Sequence, residues 1–205
     1  MRPDAIRRTP WRAALLLLPV AAAAAGGPLQ GHGFILPPPA AGWTVDSDRP
    51  DAIAFSSHPG PAVRVPDVAP YGLTAGAQAY RDAALARAID ADPQAAARAW
   101  LGRRLQAPRR DIVALAVRPA ALHGARCAAY DAVQVDRHDP ERITPDHVED
   151  REFAQHGMLC AHPSIAGLVV QVFYNERFLR GRAPAARTAE RDARAFFDGV
   201  RWTAP

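Results

Sequence analysis

The 205-residue chain contains no lysine, only two cysteines and only four serines. None of the serines lies in the G-x-S-x-G sequence of a nucleophile elbow. The chain also lacks a Gly-rich phosphate loop and a dinucleotide-binding fingerprint. After residue 25, no hydrophobic run reaches the roughly 18 to 20 residues of a membrane-spanning helix. These absences argue against a serine hydrolase, a nucleotide-dependent enzyme and a membrane span in the processed chain.

The positive charge of the chain is concentrated at its N-terminus. The formal net charge is +4. Residues 1–25 contain four arginines and one aspartate, so about +1 remains for the rest of the chain. Nucleic-acid binding needs a surplus of basic side chains that replace the counterions of several phosphates. We therefore expect no nucleic-acid partner.

Residues 1–25 have the parts of a secretory signal peptide. Arginines precede an apolar run that ends in three alanines, and small residues are what a signal peptidase accommodates. The sequence predicts cleavage near Gly26 and a periplasmic or secreted location. A retained membrane anchor is the alternative, and Pro19 counts against it because it interrupts the apolar run. The pair Arg7 and Arg8 leaves open whether export uses the general or the twin-arginine route.

Cys127 and Cys160 are the two cysteines of the chain. In an oxidising compartment such a pair is usually joined, so the sequence predicts a disulfide between them. The segments that begin at Cys127 and end at Cys160 both have strand character. If these strands pair antiparallel with the cysteines opposed, Asp131 lies opposite His156. Opposed side chains come close to disulfide distance, and the second pair would form a cross-strand ion pair.

Hydrophobic patterning after residue 25 predicts one α+β domain. Residues 26–42 are rich in Gly and Pro and are predicted to form an extended lead-in, which assigns the domain to residues 43–205. We expect a mostly antiparallel sheet of about five to six strands, covered by helices as in an α/β/α sandwich. The predicted strands are 43–45, 52–56, 63–65, 112–117, 125–135, 152–160 and 167–174, and the predicted helices are 74–89, 92–106 and 188–200.

The helix predictions rest on end signals and on periodicity. Thr74 is a possible N-cap of the first helix, and Asp92 followed by Pro93 is a strong start signal for the second. The third helix has an apolar stripe typical of packing on a sheet, with Trp202 as an anchor after it. The polar segment 136–151 is predicted to be a surface loop.

His156, Cys160 and His162 lie within seven residues and are the candidate metal-binding or catalytic group. A zinc site needs ligands arranged as a tetrahedron. In a regular strand these three positions share a face but spread over about 20 Å at roughly 3.3 Å per residue. One metal would therefore require the strand to end and curl at His162. We favour a disulfide with surface histidines, and expect no metal and no cofactor.

The last third of the chain resembles small exported bacterial proteins of uncharacterised function. The likeness lies in the sequence Gly157-Met158-Leu159-Cys160-Ala161-His162-Pro163, in the strand Leu168 to Tyr174, and in the helix ending Phe196-Phe197-Asp198-Gly199-Val200. The order of elements from about residue 42 to 202 is similar to that of the PsbP-like α/β/α sandwich. This resemblance implies a non-enzymatic binding or assembly domain and carries over no site residue.

Two hypotheses for the function follow from the sequence. The first is an exported, periplasmic, non-enzymatic binding or assembly protein, whose partner is an unidentified protein, envelope component or small molecule. The alternative is a small exported metalloprotein or hydrolase that uses His156, Cys160 and His162. Reduced thiols with bound zinc would favour the alternative, and a disulfide would favour the first hypothesis.

Overall fold

The computed structural model describes residues 27–57, 71–105, 110–136, 151–179 and 189–204. The predicted signal peptide, the predicted strand at 63–65 and residues 137–150 of the predicted loop lie outside these ranges. The described elements are β1 (Leu29–Gly31), β2 (Phe34–Leu36), β3 (Thr44–Arg49), β4 (Ala52–Ser57), β5 (Tyr71–Arg81), α1 (Ala83–Ala91), α2 (Pro93–Arg104), β6 (Arg110–Leu122), β7 (Ala125–Asp136), β8 (Arg151–Ala161), β9 (Leu168–Leu179), α3 (Ala189–Gly199) and β10 (Arg201–Trp202).

The largest element is a seven-stranded antiparallel sheet with the strand order β3-β4-β5-β9-β8-β7-β6. The strands β1, β2 and β10 form a second, three-stranded antiparallel sheet. Because side chains alternate along a strand, the large sheet has two distinct faces. None of the helices in the described ranges is long and apolar enough to cross a membrane.

One face of the large sheet, here called the disulfide face, packs against α3 and the small sheet. Its buried cluster joins Val170 and Val172 of β9 to Phe196 of α3 and to Phe34 and Leu36 of β2. The opposite face, here called the groove face, is covered over part of its area by α1 and α2. The buried residues of that second cluster include Ile89, Leu101, Tyr130, Leu159 and Val169.

The predicted fold class is wrong. The described chain is mostly β, with 56% strand and 24% helix, in sheets of seven and three strands. The prediction was a single helix-covered sheet of five to six strands, but the three helices are short and do not form sandwich layers. The lead-in prediction also fails for residues 29–36, because they form β1 and β2, and Phe34 and Leu36 are fully buried.

The predicted helix at residues 74–89 begins too early. Its first eight residues belong to β5, which pairs with β9 over its whole length, and α1 starts only after the N-cap Asp82. Within β5, Ala75 and Ala77 are buried. A side chain at Gly76 would clash with the backbone of Ile53 on β4. Pairing on both sides thus overrides the helical preference of an alanine-rich segment.

Several local predictions are confirmed. Asp92 is the N-cap of α2, its carboxylate accepts a hydrogen bond from the backbone N–H of Ala95, and Pro93 is the first helical residue. Trp202 is an anchor, since its indole N–H donates to the carbonyl of Leu122 at 2.8 Å. These contacts are local or involve a single large side chain, which is why the sequence indicates them.

Candidate functional site

The predicted disulfide joins Cys127 on β7 to Cys160 on β8. The two residues are directly opposed, their Cα atoms are 4.0 Å apart, and both are fully buried on the disulfide face. The predicted register is confirmed, because Asp131 pairs with His156. Nδ1 of His156 lies 2.7 Å from Oδ1 of Asp131, so the cross-strand contact is also present.

The three candidate metal ligands are not brought together. The sulfur of Cys160 is bonded to Cys127, and Nδ1 of His162 accepts hydrogen bonds from the backbone N–H groups of Ser164 and Ile165. Since Nδ1 is an acceptor, Nε2 of His162 carries the proton and donates to a backbone carbonyl at 2.7 Å. Neither residue therefore offers a free ligand atom. Within the described ranges, no cluster of three His, Cys, Asp or Glu residues could hold a metal ion.

His156 belongs instead to a charge cluster with Asp131 and Arg118. The Arg118 guanidinium and the His156 ring bond different oxygens of the Asp131 carboxylate. Partial burial raises the pKa of Asp131, but hydrogen bonds and charge from Arg118 and His156 outweigh burial and lower it. A cavity of about 270 Å³ beside α3 adjoins the cluster, and its described lining contains no serine, threonine or cysteine. The cluster is thus a paired set of charges, and no hydroxyl of serine or threonine and no thiol lies beside it in the described lining.

A larger cavity, of about 530 Å³, lies on the groove face where α2 ends at Leu105. We call it the polar groove. It is lined by residues of β3, β4, β5, β7, β8 and β9 together with Leu105 and Arg110. Its polar lining consists of Asp46, Ser56, Thr74, Arg110, Gln134, Gln155, Asn175 and Arg177, and its apolar lining includes Leu73 and Phe153.

Strand register produces this concentration of polar groups. Gln155 of β8 is opposite Asn175 of β9, which is opposite Thr74 of β5, which is opposite Ser56 of β4. These four side chains form a continuous row across the sheet. Gln134 of β7 lies in the neighbouring row on the same face, because its partner is Phe153, two residues from Gln155. One polar residue on the groove face of each of the strands β4, β5, β7, β8 and β9 is therefore enough to form the floor of the groove.

One end of the row is internally hydrogen-bonded. The hydroxyl of Ser56 donates to the Asp46 carboxylate at 2.8 Å and lies 3.1 Å from the hydroxyl of Thr44. The side-chain N–H of Asn175 donates to the hydroxyl of Thr74 at 3.1 Å. These bonds fix the side chains of β3, β4 and β5.

The other end contains polar atoms without partners. In the described part of the chain, Oε1 of Gln134, Oε1 of Gln155 and Oδ1 of Asn175 are buried and accept no hydrogen bond. Leaving such a group unpaired costs about 1–3 kcal/mol. All three residues line the polar groove, and Gln134 is only 5% exposed. The floor of the groove thus has unused hydrogen-bonding capacity on three adjacent strands.

The charged and aromatic groups of the groove lie at its rim. The guanidinium of Arg110 is 4.9 Å from the centre of the Phe153 ring and also pairs with Asp136 at 3.7 Å. Two arginines and one aspartate are the charged residues among the described lining. The carboxylate of Asp46 already accepts a hydrogen bond from Ser56, so the described lining offers little to a cationic ligand.

No known protein family matches the chain, and no curated protein sequence matches it either. The resemblance to the PsbP-like sandwich accordingly remains a prediction.

The residues of the polar groove were missed at the sequence level. The signal that points to two of them is polarity at alternate positions of apolar strands, as in Val133-Gln134-Val135. Applied to the predicted register of β7 and β8, this alternation places Gln134 and Gln155 on one face. The contribution of β9 and β5 requires their pairing partners, and these come only from the fold.

Proposed function

We propose that the chain is an exported, non-enzymatic binding protein that holds a polar ligand in the groove of the large sheet. The observation that supports this most strongly is the set of three buried, unpaired carboxamide oxygens in one cavity. Buried polar groups in folded proteins are nearly always hydrogen-bonded, and unpaired ones require an explanation. A bound ligand explains three of them at once.

The chemistry of the groove floor favours binding over catalysis. Carboxamides and hydroxyls donate and accept hydrogen bonds, but they do not ionise near neutral pH. The volume of about 530 Å³ falls within the roughly 300–1,000 Å³ of small-molecule sites. The site also rests on strands, which position side chains more rigidly than loops do.

Export is supported by two independent features. Residues 1–25 have the pattern of a signal peptide, and the disulfide fits an oxidising compartment. We expect the full-length chain, expressed in a bacterial host, to appear in the extracytoplasmic fraction with about 25 residues removed. Intact mass measurement of the purified protein checks this. A full-length, cytosolic product with two alkylatable thiols would contradict it.

Ligand binding is tested by thermal unfolding of the exported protein with a panel of polar compounds. Suitable probes are glucose, maltose, N-acetylglucosamine, glutamine, alanyl-alanine and succinate. A groove ligand near 100 times its Kd is expected to raise Tm by about 5 °C or more. Gln134→Met should clearly reduce the shift, and Arg118→Ala, on the opposite face, should retain it. If no probe shifts Tm, or if the Gln134 variant responds like wild type, the proposal is wrong.

A further inference from the structure

We infer that the ligand of the polar groove is a neutral, hydroxyl-rich saccharide. The inference rests on the proposed function and names the ligand class. Its starting point is that the unpaired atoms of Gln134, Gln155 and Asn175 are acceptors. A ligand that satisfies them must donate several hydrogen bonds.

The charged and hydrogen-bonding groups of the groove argue against two classes of ligand, cations and anions. Ammonium groups donate well, but the one carboxylate of the described lining, that of Asp46, already accepts a hydrogen bond from Ser56, so a cation gains little there. A carboxylate or phosphate would be attracted by the arginines, yet it contributes only acceptor atoms. With the carboxamides oriented as in this structure, an anion would leave their three oxygens unpaired. A neutral donor remains.

The spacing of the acceptor side chains then distinguishes between two kinds of neutral donor in the ligand, hydroxyl groups and peptide N–H groups. The side chains of Gln155 and Asn175 are on directly opposed residues of adjacent strands, about 4.5–5.5 Å apart at Cβ. An extended peptide presents N–H groups on one side only at every second residue, about 6.6–6.8 Å apart. Hydroxyl groups on neighbouring carbons of a sugar ring lie closer together than this. The acceptors therefore match a saccharide better than a peptide.

The remaining lining agrees with a sugar. A hydroxyl both donates and accepts, and so does a carboxamide, so each pair can exchange two hydrogen bonds. Phe153 and Leu105 line the same groove and offer apolar contact to the C–H groups of a sugar ring. A saccharide needs both kinds of surface in one cavity, and the groove supplies both.

The test measures the affinity of the exported protein for defined sugars by isothermal titration calorimetry. The soluble arm uses glucose, maltose, cellobiose and N,N′-diacetylchitobiose, with glutamine, alanyl-alanine and succinate as non-sugar probes. The polymer arm measures co-sedimentation with peptidoglycan, cellulose and chitin. Gln134→Met and Gln155→Met are expected to weaken sugar binding about tenfold or more each. Gln30→Met, an exposed glutamine on β1, is the matched control and should bind like wild type.

Each outcome has a defined meaning. Binding in either arm that both groove variants weaken supports the inference, and the arm tells whether the source is a free sugar or an envelope polymer. Binding of glutamine, alanyl-alanine or succinate alone overturns the saccharide inference but leaves the proposed function intact. Binding of sugar that neither groove variant changes also overturns the inference. If nothing binds, both fail. Circular dichroism of each variant checks that it is folded.

Discussion

Two buried glutamines on the groove face differ in one respect that matters for function. Gln134 and Gln171 are 5% and 6% exposed. The amide of Gln171 donates to the hydroxyl of Tyr130, and its oxygen accepts from the hydroxyl of Tyr80 at 3.2 Å. The oxygen of Gln134 has no partner among the described residues. Gln171 therefore stabilises the fold, whereas the burial of Gln134 without a partner for its oxygen costs free energy.

This contrast predicts opposite effects of the same substitution. Gln171→Met should lower the free energy of unfolding by about 1–3 kcal/mol, because it removes a hydrogen-bond partner from the buried Tyr130 hydroxyl and one from the half-buried Tyr80 hydroxyl. Gln134→Met should leave stability unchanged or raise it, because an unpaired polar group is replaced by an apolar one. Urea unfolding monitored by circular dichroism measures both. Equal losses in the two variants would contradict a ligand-binding role for Gln134.

The carboxylate of Asp131 predicts a pH dependence. Burial raises its pKa, but the bonds and charges of Arg118 and His156 lower it below its ordinary value. Since the pKa is lower in the folded state, the stabilisation is complete above the unfolded value of about 3.9 and is lost as pH falls through the folded value. The side chain is 37% exposed, so we expect less than about 1 kcal/mol at pH 7.

Asp131→Asn is therefore expected to be slightly less stable than wild type at pH 7, with the difference shrinking below pH 4. Thermal unfolding between about pH 2 and 7, a range that includes the titration of aspartates, measures this. Asp48→Asn, at an exposed position on β3, is the control and should show no such convergence. A difference that stays constant down to the lowest pH would show that Asp131 acts through packing alone.

At the scale of elements, β7 and β8 fit together because an aromatic ring of β7 lies over a glycine of β8. Tyr130 is directly opposite Gly157, and a Cβ at Gly157 would overlap the Tyr130 ring. Gly157→Ala should therefore destabilise the protein by about 2–4 kcal/mol through overpacking. Combined with Tyr130→Ala, the same change should cost much less, since the ring it strikes is gone. A double-mutant cycle in urea measures the coupling, and simple additivity would contradict the overlap.

The disulfide joins the same two strands three residues away from this pair, near the start of β7 and the end of β8. Cys127 and Cys160 are 33 residues apart, and closing such a loop stabilises by about 3–4 kcal/mol in the chain-entropy model. Cys127→Ser and Cys160→Ser should lower Tm equally, and the double variant should be no worse than either. Reducing agent should lower Tm of wild type only. Two clearly additive losses would show that the cysteines do not act through a shared bond.

The sequence predicts an element well when the interactions that form it lie within the element itself, and poorly when they come from distant strands. Asp92 and Pro93 start α2 through contacts within one turn, and the two cysteines set the register of β7 and β8 by themselves. The residues of β5 look helical because of their alanines, and only pairing with β4 and β9 makes them a strand. The polar groove needs the register of five strands at once, which no single segment of the sequence encodes.

At the scale of the whole molecule, the small sheet closes the two ends of the described chain onto the large one. The carbonyl of Gly33, between β1 and β2, accepts hydrogen bonds from Nε2 of His162 at 2.7 Å and from the backbone N–H of Thr203 at 3.0 Å. Gly33 has a φ of +83°, and a Cβ there would lie 2.6 Å from the side chain of Leu168. The Gly33 carbonyl thus joins His162, just after β8, to both ends of the described chain at one point.

Removing this link should loosen one sheet and not the other. His162→Ala leaves the Gly33 carbonyl and two backbone N–H groups with fewer partners, so we expect a loss of about 2–4 kcal/mol. Native-state hydrogen exchange should show faster exchange of the amides of β1, β2 and β10, whereas those in the centre of β8 and β9 stay protected. His32→Ala, at an exposed position next to Gly33, is the control and should leave exchange unchanged. Uniform acceleration across both sheets would instead mean that the molecule opens as one unit and that His162 does not join two separable parts.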